Sequence, residues 1–259
     1  MNPSHKPISF IIVNYHSAIE LHKCLFDLAH VPNAHIHEII IVNNDSTALS
    51  LQNFGFLHQK CIEIGKNIGY GAANNIGLTH AKFPFVCFLN PDTHSFCKNF
   101  FDIVFHIDEK TIVSPRVNTE DLLPQQWSVG EKITLLHLIK NHIGIHKKPW
   151  KFTKKTPVRW VSGAAMCART QFIRDIGGFD ESFFLYFEDV DLCERAHHND
   201  GFVYYIPTIS LIHTSGQSSK NTGKIQKKWY YASQDTFFKK HFGACHVLLL
   251  RIFRLFYIK

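Results

Sequence analysis

Apolar residues in the first ninety positions fall into short continuous runs separated by longer polar or helix-like stretches. Four of these runs predict buried strands, over residues 8–13, 38–42, 61–64 and 85–89. After the first run, Ser17 is a candidate N-cap for a helix over residues 18–29. Continuous apolar strands that alternate with helices are typical of a parallel sheet covered on both faces, so the pattern predicts an α/β domain.

The second half of the chain resumes this alternation after an irregular middle. The expected elements are a short helix near 131–141, a strand over 160–168, a short helix over 170–176 that ends at Gly177-Gly178, a helix over 189–199 and strand-like runs over 202–206 and 206–212. We therefore expect one domain over 1–223, with a donor half of about 1–115 and an acceptor half of about 116–223, followed by a basic, aromatic helical tail over 224–259.

Polar residues follow the predicted strands at their carboxyl ends. Asn43-Asn44-Asp45-Ser46 comes after the second strand, and Asn90-Pro91-Asp92 comes after the fourth. Open α/β sheets bind ligands at this edge. The sequence therefore predicts a crevice of nucleotide size at the ends of the strands.

Composition narrows the classes of partner. The 259 residues are 45% hydrophobic and 19% charged, which is typical of a globular protein, and the net charge of +7 favours anionic partners. The sequence has no zinc-finger spacing and no RNP-like motif, so we expect no nucleic acid partner and favour phosphate-bearing small molecules or membrane lipids. Seven scattered cysteines without a CxxC pair favour reduced thiols in the cytoplasm. We expect no signal peptide and no transmembrane span.

Two acidic segments carry the candidate metal-binding and catalytic residues. Asp92 just beyond a strand can hold Mg²⁺ or Mn²⁺ against a diphosphate, although an Asx-type turn is the favoured explanation for this tripeptide taken alone. Glu188, Asp189 and Asp191 follow an aromatic stretch at the start of a predicted helix, where helix capping is the competing explanation. Aromatic neighbours and like charges should raise a carboxyl pKa, as a general base for a sugar hydroxyl requires.

Two further features are weaker signals by themselves. The glycine- and asparagine-rich run over 67–77 opens a helix and lets a ligand or another backbone approach closely. It is neither GxGxxG nor a P-loop, which argues against a dinucleotide or ATP site. His213 follows a strand and is either a ligand to metal and phosphate or an ordinary histidine.

In their order along the chain, these segments resemble the family 2 glycosyltransferases with the GT-A fold, particularly the rhamnosyltransferase-like branch of O-antigen and cell-wall polysaccharide synthesis. The resemblance extends from about Ile8 to Ser218. The segments that carry it are IIVNY (11–15), VNNDS (42–46), NIGYG (67–71), NN (74–75), LNPD (89–92), SGA (162–164), GGFDE (177–181), FEDVD (187–191) and IH (212–213).

The resemblance implies a GT-A α/β fold with a mainly parallel, mixed sheet flanked by helices, and it implies roles for individual residues. It assigns the base to Asp189 or Glu188, the metal to Asp92 and His213, and acceptor contacts to Trp160, Gly163 and Asp191. Nucleotide contacts are assigned to Asn14, Tyr15, Asn43, Asn44, Asn67, Gly69, Asn74 and Asn90. Two positions depart from the family pattern, because Asn43-Asn44 stands where many relatives have Asp-Asn and the DxD-like motif begins with Asn90.

The implied activity is inverting, metal-dependent transfer of a sugar from a nucleotide diphosphate donor, dTDP-rhamnose or a UDP-hexose, to a lipid-linked or lipopolysaccharide saccharide. The cationic, aromatic tail fits either an anionic membrane surface at the inner membrane face or packing against the domain. The rival functions are a sugar-nucleotide nucleotidyltransferase and a non-catalytic saccharide- or membrane-binding protein. The former normally has a glycine-rich basic loop after the first strand, where this chain has Asn14-Tyr15-His16-Ser17.

Overall fold

A computed structural model of the protein describes residues 6–142, 152–214 and 223–257. The strands are β1 (Ile8–Asn14), β2 (Glu38–Asn43), β3 (His58–Glu63), β4 (Phe85–Leu89), β5 (Thr93–His94), β6 (Thr111–Asn118), β7 (Val129–Gly130), β8 (Thr156–Pro157), β9 (Trp160–Val161), β10 (Ala165–Arg169) and β11 (Phe202–His213). The α-helices are α1 (Ala18–Ala29), α2 (Tyr70–His80), α3 (Leu135–His142), α4 (Thr170–Asp175), α5 (Glu188–His198), α6 (Gly223–Phe242) and α7 (Ala244–Tyr257).

Within the described ranges, nine strands form one mixed sheet. Its order is β3-β2-β1-β4-β10-β6-β11-β5, and β8 pairs with β11 outside this path. The first four strands are mutually parallel, and β10 runs antiparallel between β4 and β6. The mainly parallel α/β sheet expected from the apolar runs is therefore confirmed.

The core lies on both faces of this sheet because successive residues of a strand point to opposite sides. In β1, Phe10 and Ile12 pack with Leu21 and Leu25 of α1 on one face. Ile11 belongs to the cluster on the other face, which also contains residues of α2, α4, α5, α6 and α7.

Helix α2 approaches the sheet closely because it carries a glycine at the contact. A Cβ on Gly77 would lie 2.4 Å from Cγ2 of Ile11 and 3.3 Å from Cγ2 of Val42. Any side chain at this position would push the helix away from β1 and β2. The glycine thereby brings the beginning of α2 to the carboxyl edge of the sheet.

Several predicted bounds were wrong for local reasons. The expected strand over 160–168 is two strands, β9 and β10, separated by a turn at 162–164. Strand β6 was not predicted, because Pro115 and Arg116 interrupt its apolar run. Ser17 precedes α1 as expected but makes no side-chain cap; its Oγ donates to the carbonyl of Tyr15 at 3.1 Å.

The two C-terminal helices pack on the domain through part of their surface. Phe237 and Phe238 of α6 and Leu250 of α7 are fully buried in the same cluster as Ile11. The division of the chain at residue 223 stays a prediction. No helix among the described residues is long and apolar enough to span a bilayer.

Candidate active site

The carboxyl ends of four strands place the predicted polar residues along one edge of the sheet. Asn14 and Asn43 are register partners at the ends of β1 and β2. Strand β4, on the other side of β1, leads into Asn90 and Asp92. His213 at the end of β11 pairs with Thr93, the residue after Asp92.

The first two asparagines support the strand ends. The Asn14 amide donates to Oδ1 of Asn43 at 2.7 Å, and the Asn43 amide donates to the Thr47 carbonyl at 2.7 Å and to Glu63 at 2.5 Å. Both residues are buried, and Asn43 is fully so. The Asn43 side chain therefore has a structural role within the protein, its contact with a nucleobase stays a prediction, and the neighbouring Tyr15 is partly exposed.

Asn44 fixes the loop that precedes α2. Its Oδ1 accepts the Ile68 amide at 2.9 Å, and its amide donates to Oδ1 of Asn67 at 2.9 Å. Gly69 has φ of 96°, and a Cβ there would lie 2.7 Å from the Phe184 carbonyl oxygen. Asn74 is fully buried and donates to the Tyr70 carbonyl at 3.1 Å, so its side chain also supports α2 and does not reach the crevice.

Asp45, in the loop after β2, binds the loop after β1. The sequence pattern did not predict this contact. It accepts the His16 backbone amide at 3.1 Å and lies 2.6 Å from the His16 ring. Burial opposes ionisation of this carboxyl, but the backbone amides of His16 and Ser46 outweigh it and hold the pKa of Asp45 below its usual range.

Asp92 and His213 meet at the predicted metal position. Oδ1 of Asp92 lies 3.1 Å from Nε2 of His213, and both side chains are partly exposed. The His213 ring is oriented from behind by Oε1 of Gln125, 2.9 Å from Nδ1, and the Asn90 amide lies 3.2 Å from Nε2. With Nδ1–H donated to Gln125, Nε2 presents a lone pair beside a carboxylate oxygen. Gln125 was not predicted, since it lies in an irregular segment.

This donor set fits a divalent cation in part. A carboxylate oxygen and an imidazole nitrogen are accepted ligands of Mn²⁺ and, for the carboxylate, of Mg²⁺. Among the described residues, no group of three or more His, Cys, Asp or Glu side chains could hold a metal. A cation here would need phosphate oxygens or water to complete its coordination.

Glu188 and Asp189 form a carboxyl pair at the beginning of α5. Asp189 is partly exposed, and its two oxygens accept the amides of Gly163 at 2.9 Å and Val190 at 2.8 Å. Glu188 is buried, and its Oε2 has no hydrogen-bond partner in the described part of the chain. Burial raises the pKa of both carboxyls, and the charge of Asp189 raises that of Glu188 further.

The turn at 162–164 connects this pair with the metal position. Gly163 donates its amide to Asp189, while the Ala164 carbonyl accepts the Asn90 amide at 3.0 Å. The Gly163 carbonyl accepts the Tyr70 hydroxyl at 2.8 Å. Asp189, Gly163 and Asn90 therefore belong to one connected structure, as the predicted grouping requires.

Two residues predicted to contact the acceptor, Trp160 and Asp191, are buried, and their acceptor contacts stay predictions. Trp160 is buried, and its Nε1 donates to the Glu131 carbonyl at 3.0 Å. Asp191 is fully buried, with Oδ2 2.7 Å from Nε of Arg195 and Oδ1 2.8 Å from Lys240 and 2.9 Å from His241. Neither side chain has a free polar face toward the crevice, and Asp191 holds α6 against α5.

We predict that Asp191→Asn destabilises the protein by on the order of 3 kcal/mol at neutral pH, since it removes the fully buried carboxylate that binds Arg195, Lys240 and His241. This loss of stability is at the lower end of the range for removing one partner of a buried ion pair, because Lys240 is 33% exposed and keeps Asp180 as a partner. Urea unfolding measures the loss. Asp108→Asn, at an exposed carboxylate 4.0 Å from Lys155, is the matched control and should change stability by less than about 0.5 kcal/mol.

The loss should depend on pH in one direction. Burial would raise the pKa of Asp191, but hydrogen bonds from His241, Lys240 and Arg195 lower it below 3.8. The contribution is therefore complete above that value and disappears as the pH falls through the lowered pKa of the folded state. A difference between wild type and Asp191→Asn that persists unchanged in strong acid would contradict the assignment.

The chain is similar to known proteins in its family profile, in its sequence and in its fold. The sequence profile of glycosyl transferase family 2 matches residues 9–170. Low-salt glycan biosynthesis hexosyltransferase Agl10 of Haloferax volcanii is 27% identical over 213 residues, 80% of this chain and 66% of its own length. Rhamnosyltransferase WbbL of Escherichia coli K12 is 26% identical over 245 residues, 86% of this chain and 90% of its own length.

The fold is shared with a solved glycosyltransferase structure. GalNAc-T7, crystallised with UDP, GalNAc and Mn²⁺, superposes with a TM-score of 0.64 over 92% of this chain and 50% of its own, at 13% identity. The chain thus spans half of that protein and just under two thirds of the Haloferax relative. The likeness confirms the expected GT-A fold.

Proposed function

Because the chain belongs to glycosyl transferase family 2, we propose that it transfers a sugar from a nucleotide diphosphate to a hydroxyl of a saccharide acceptor. The observation that carries the proposal is the turn at 162–164, which links a partly exposed carboxylate, Asp189, to the Asn90–Asp92–His213 group. This connection supports a base for the acceptor and a site for the departing diphosphate on adjoining parts of the chain.

The transfer we propose is a direct displacement with inversion. The acceptor hydroxyl oxygen attacks the anomeric carbon while its proton passes to the Asp189 carboxylate. The bond from that carbon to the diphosphate oxygen breaks, and its electron pair leaves with the nucleoside diphosphate. Asp189 suits the base because it is partly exposed and the amides of Gly163 and Val190 hold it in place.

Glu188 has a different environment from its neighbour. It is buried beside Asp189 and its pKa is raised well above the usual carboxyl value by burial and by that charge. A protonated Glu188 next to an ionised Asp189 leaves one negative charge on the pair. Asp189 can then remain ionised and accept the proton of the acceptor.

Asp92 and His213 are the residues that we propose hold a divalent cation, Mg²⁺ or Mn²⁺, on the diphosphate. A bound cation would neutralise the charge that develops on the departing phosphate. Gln125 fixes the His213 ring so that Nε2 points at the carboxylate of Asp92. The Mn²⁺ crystallised with GalNAc-T7 supports a cation of this kind.

The donor we propose is dTDP-rhamnose or a UDP-hexose, and the acceptor is a lipid-linked or lipopolysaccharide saccharide. The names of the rhamnosyltransferase and hexosyltransferase relatives support this choice. A screen of nucleotide sugars for hydrolysis in the presence of Mn²⁺ would identify the donor. Absence of turnover with every nucleotide sugar, in protein that binds UDP or dTDP, would argue against the transferase function.

We predict that Asp189→Asn lowers kcat by about 10²–10⁴-fold while the affinity for UDP or dTDP is kept, because a positioned base contributes about that much. Glu188→Gln should lower kcat less, since Glu188 is buried, whereas Asp189 is partly exposed. A helix cap alone would predict a lower melting temperature with normal turnover of the folded fraction. Near-normal kcat in Asp189→Asn would falsify the assignment.

The pH profile of kcat/KM provides a second measurement of the same prediction. A base acts when deprotonated, so activity is present above its pKa and falls as the pH drops through it. The pKa of Asp189 is raised from 3.8 by burial, so this acid limb should lie above the ordinary carboxyl range in the wild type. The limb should be absent from the residual activity of Asp189→Asn.

Asp92→Ala is predicted to remove the effect of metal on nucleotide binding. Calorimetry with UDP and dTDP should show tighter binding with Mn²⁺ in the wild type, and a metal effect weakened on the order of tenfold to a hundredfold in the variant. Asp121→Ala, at an exposed carboxylate, is the control and should behave as the wild type. Equal strengthening by Mn²⁺ in Asp92→Ala and wild type would show that the cation binds elsewhere.

The outer face of α7 supports a peripheral contact with anionic lipid at the cytoplasmic face of the inner membrane. Leu248, Ile252 and Leu255 recur at helical spacing and are 62%, 42% and 81% exposed, with Arg251 between them. An apolar stripe flanked by cations is the pattern of a helix that lies in a bilayer interface. Truncation before α6 is unsuitable as a test, since Phe237 and Phe238 belong to the core.

The prediction is that Leu248→Gln with Leu255→Gln weakens binding to phosphatidylserine vesicles at least tenfold, and that wild-type binding falls as salt rises. Vesicle co-sedimentation measures both effects. Ile19→Gln is the control, because Ile19 is an apolar side chain of α1 that is 83% exposed. Binding that ignores salt and both substitutions would exclude α7 as the lipid contact.

A further inference from the structure

The two residues immediately before the carboxyl pair have a backbone conformation that side chains disfavour. Tyr186 has φ of 71° and Phe187 has φ of 66°, although neither is glycine. Left-handed conformations at consecutive bulky residues persist only where the surroundings hold them. The segment that delivers Glu188 and Asp189 to the crevice must therefore be held from outside.

Helix α6 makes those external contacts. Oγ of Ser233, a buried residue, donates to the carbonyl of Leu185 at 2.8 Å. The Trp229 ring lies 4.9 Å from that of Phe184, and the Tyr230 ring lies 5.4 Å from that of Phe187. One face of α6 thus contacts the segment 184–187 residue by residue.

The far end of α6 is anchored on both sides of the same segment. Lys240 bridges Asp180 at 2.5 Å and Asp191 at 2.8 Å, and His241 lies 2.9 Å from Asp191. Asp180 precedes the segment and Asp191 follows it, in the first turn of α5. The helix therefore fixes the ends of the segment by charge and its middle by packing and by the Ser233 hydrogen bond.

We propose that α6 positions the proposed base, with Ser233 as the positioning residue that acts through the Leu185 carbonyl on the orientation of Asp189. This rests on the proposed function, since it assumes Asp189 as base. The alternative is that α6 only covers apolar surface. In that case, removing the Ser233 hydroxyl would change stability and leave the rate of folded enzyme unchanged.

Ser233→Ala and Thr236→Ala are the matched pair for the test. Each removes a hydroxyl from α6, but Thr236 donates to the Ala232 carbonyl of its own helix at 3.1 Å, whereas Ser233 reaches the active-site segment. We expect Ser233→Ala to lower kcat about tenfold to a hundredfold with an unchanged KM for the donor, because small misplacement of a catalytic group costs about that much. Thr236→Ala should keep the wild-type kcat.

The same substitutions in an Asp189→Asn background identify the path of the effect. Turnover is measured with dTDP-rhamnose or with the UDP-hexose that the donor screen selects, and is normalised to folded protein from the melting curve. If Ser233 acts through Asp189, Ser233→Ala lowers kcat in the wild type and causes no further loss in Asp189→Asn. An equal loss in both backgrounds, or an unchanged kcat in the wild type, would overturn the proposal.

Failure of the proposed function would look different. It would appear as normal turnover in the single variant Asp189→Asn, whatever the effect of Ser233→Ala. Failure of the positioning role leaves Asp189→Asn inactive and Ser233→Ala fully active. The two kinds of failure are distinguished by comparing the wild type, Ser233→Ala, Asp189→Asn and the double variant.

Discussion

The backbone turn at 162–164 is the contact on which the rest of the candidate site depends. Its three residues bind four separate segments: Ser162 donates its amide to the Ser128 carbonyl, Gly163 contacts Asp189 and Tyr70, and the Ala164 carbonyl accepts the Asn90 amide. A Cβ on Gly163 would lie 3.2 Å from the Tyr70 ring, so the turn has little room for a larger residue. Since backbone groups make most of these bonds, their positions are fixed by the fold before any ligand arrives. Such preorganisation is what makes electrostatic stabilisation effective in a site.

Neutral amide side chains connect the loops that follow β1, β2 and β3. Asn14, Asn43, Asn44 and Asn67 bind one another, nearby backbone and Glu63, and most of their hydrogen-bonding capacity is used within the protein. An asparagine can donate and accept at once, so a chain of them joins loops without adding charge. The charged groups then stand at a few separate places, Asp45, Asp92 and the Glu188–Asp189 pair. Carboxylates that lie apart can have different pKa values and different roles.

The sequence predicts the parts of this molecule that depend on local pattern. Strands β1, β2 and β4 and helix α1 follow from apolar runs and spacing, and the ordered motifs identify the family. Strand β6 could not be predicted because its partners, β10 and β11, are remote in sequence and compensate for Pro115. The same reason applies to side chains: the spacing of Asp191 from Asp189 indicates the helix, but two partners of Asp191, Lys240 and His241, come from α6, the latter fifty residues further on. The turn at 162–164 could be seen as a motif, whereas its role as a link between segments appears only in three dimensions.

The packing of α6 also has a consequence for the order in which parts of the protein fold during synthesis. Helix α6 follows every strand of the sheet in the chain, so it leaves the ribosome after the strands have emerged. Until it docks, Phe187 lacks its contact with Phe237, and Asp191 lacks its contacts with Lys240 and His241. The nascent sheet can therefore assemble while the loop before α5 is still unsupported. Apolar surface is then open to chaperones or to aggregation for as long as translation of that last stretch takes.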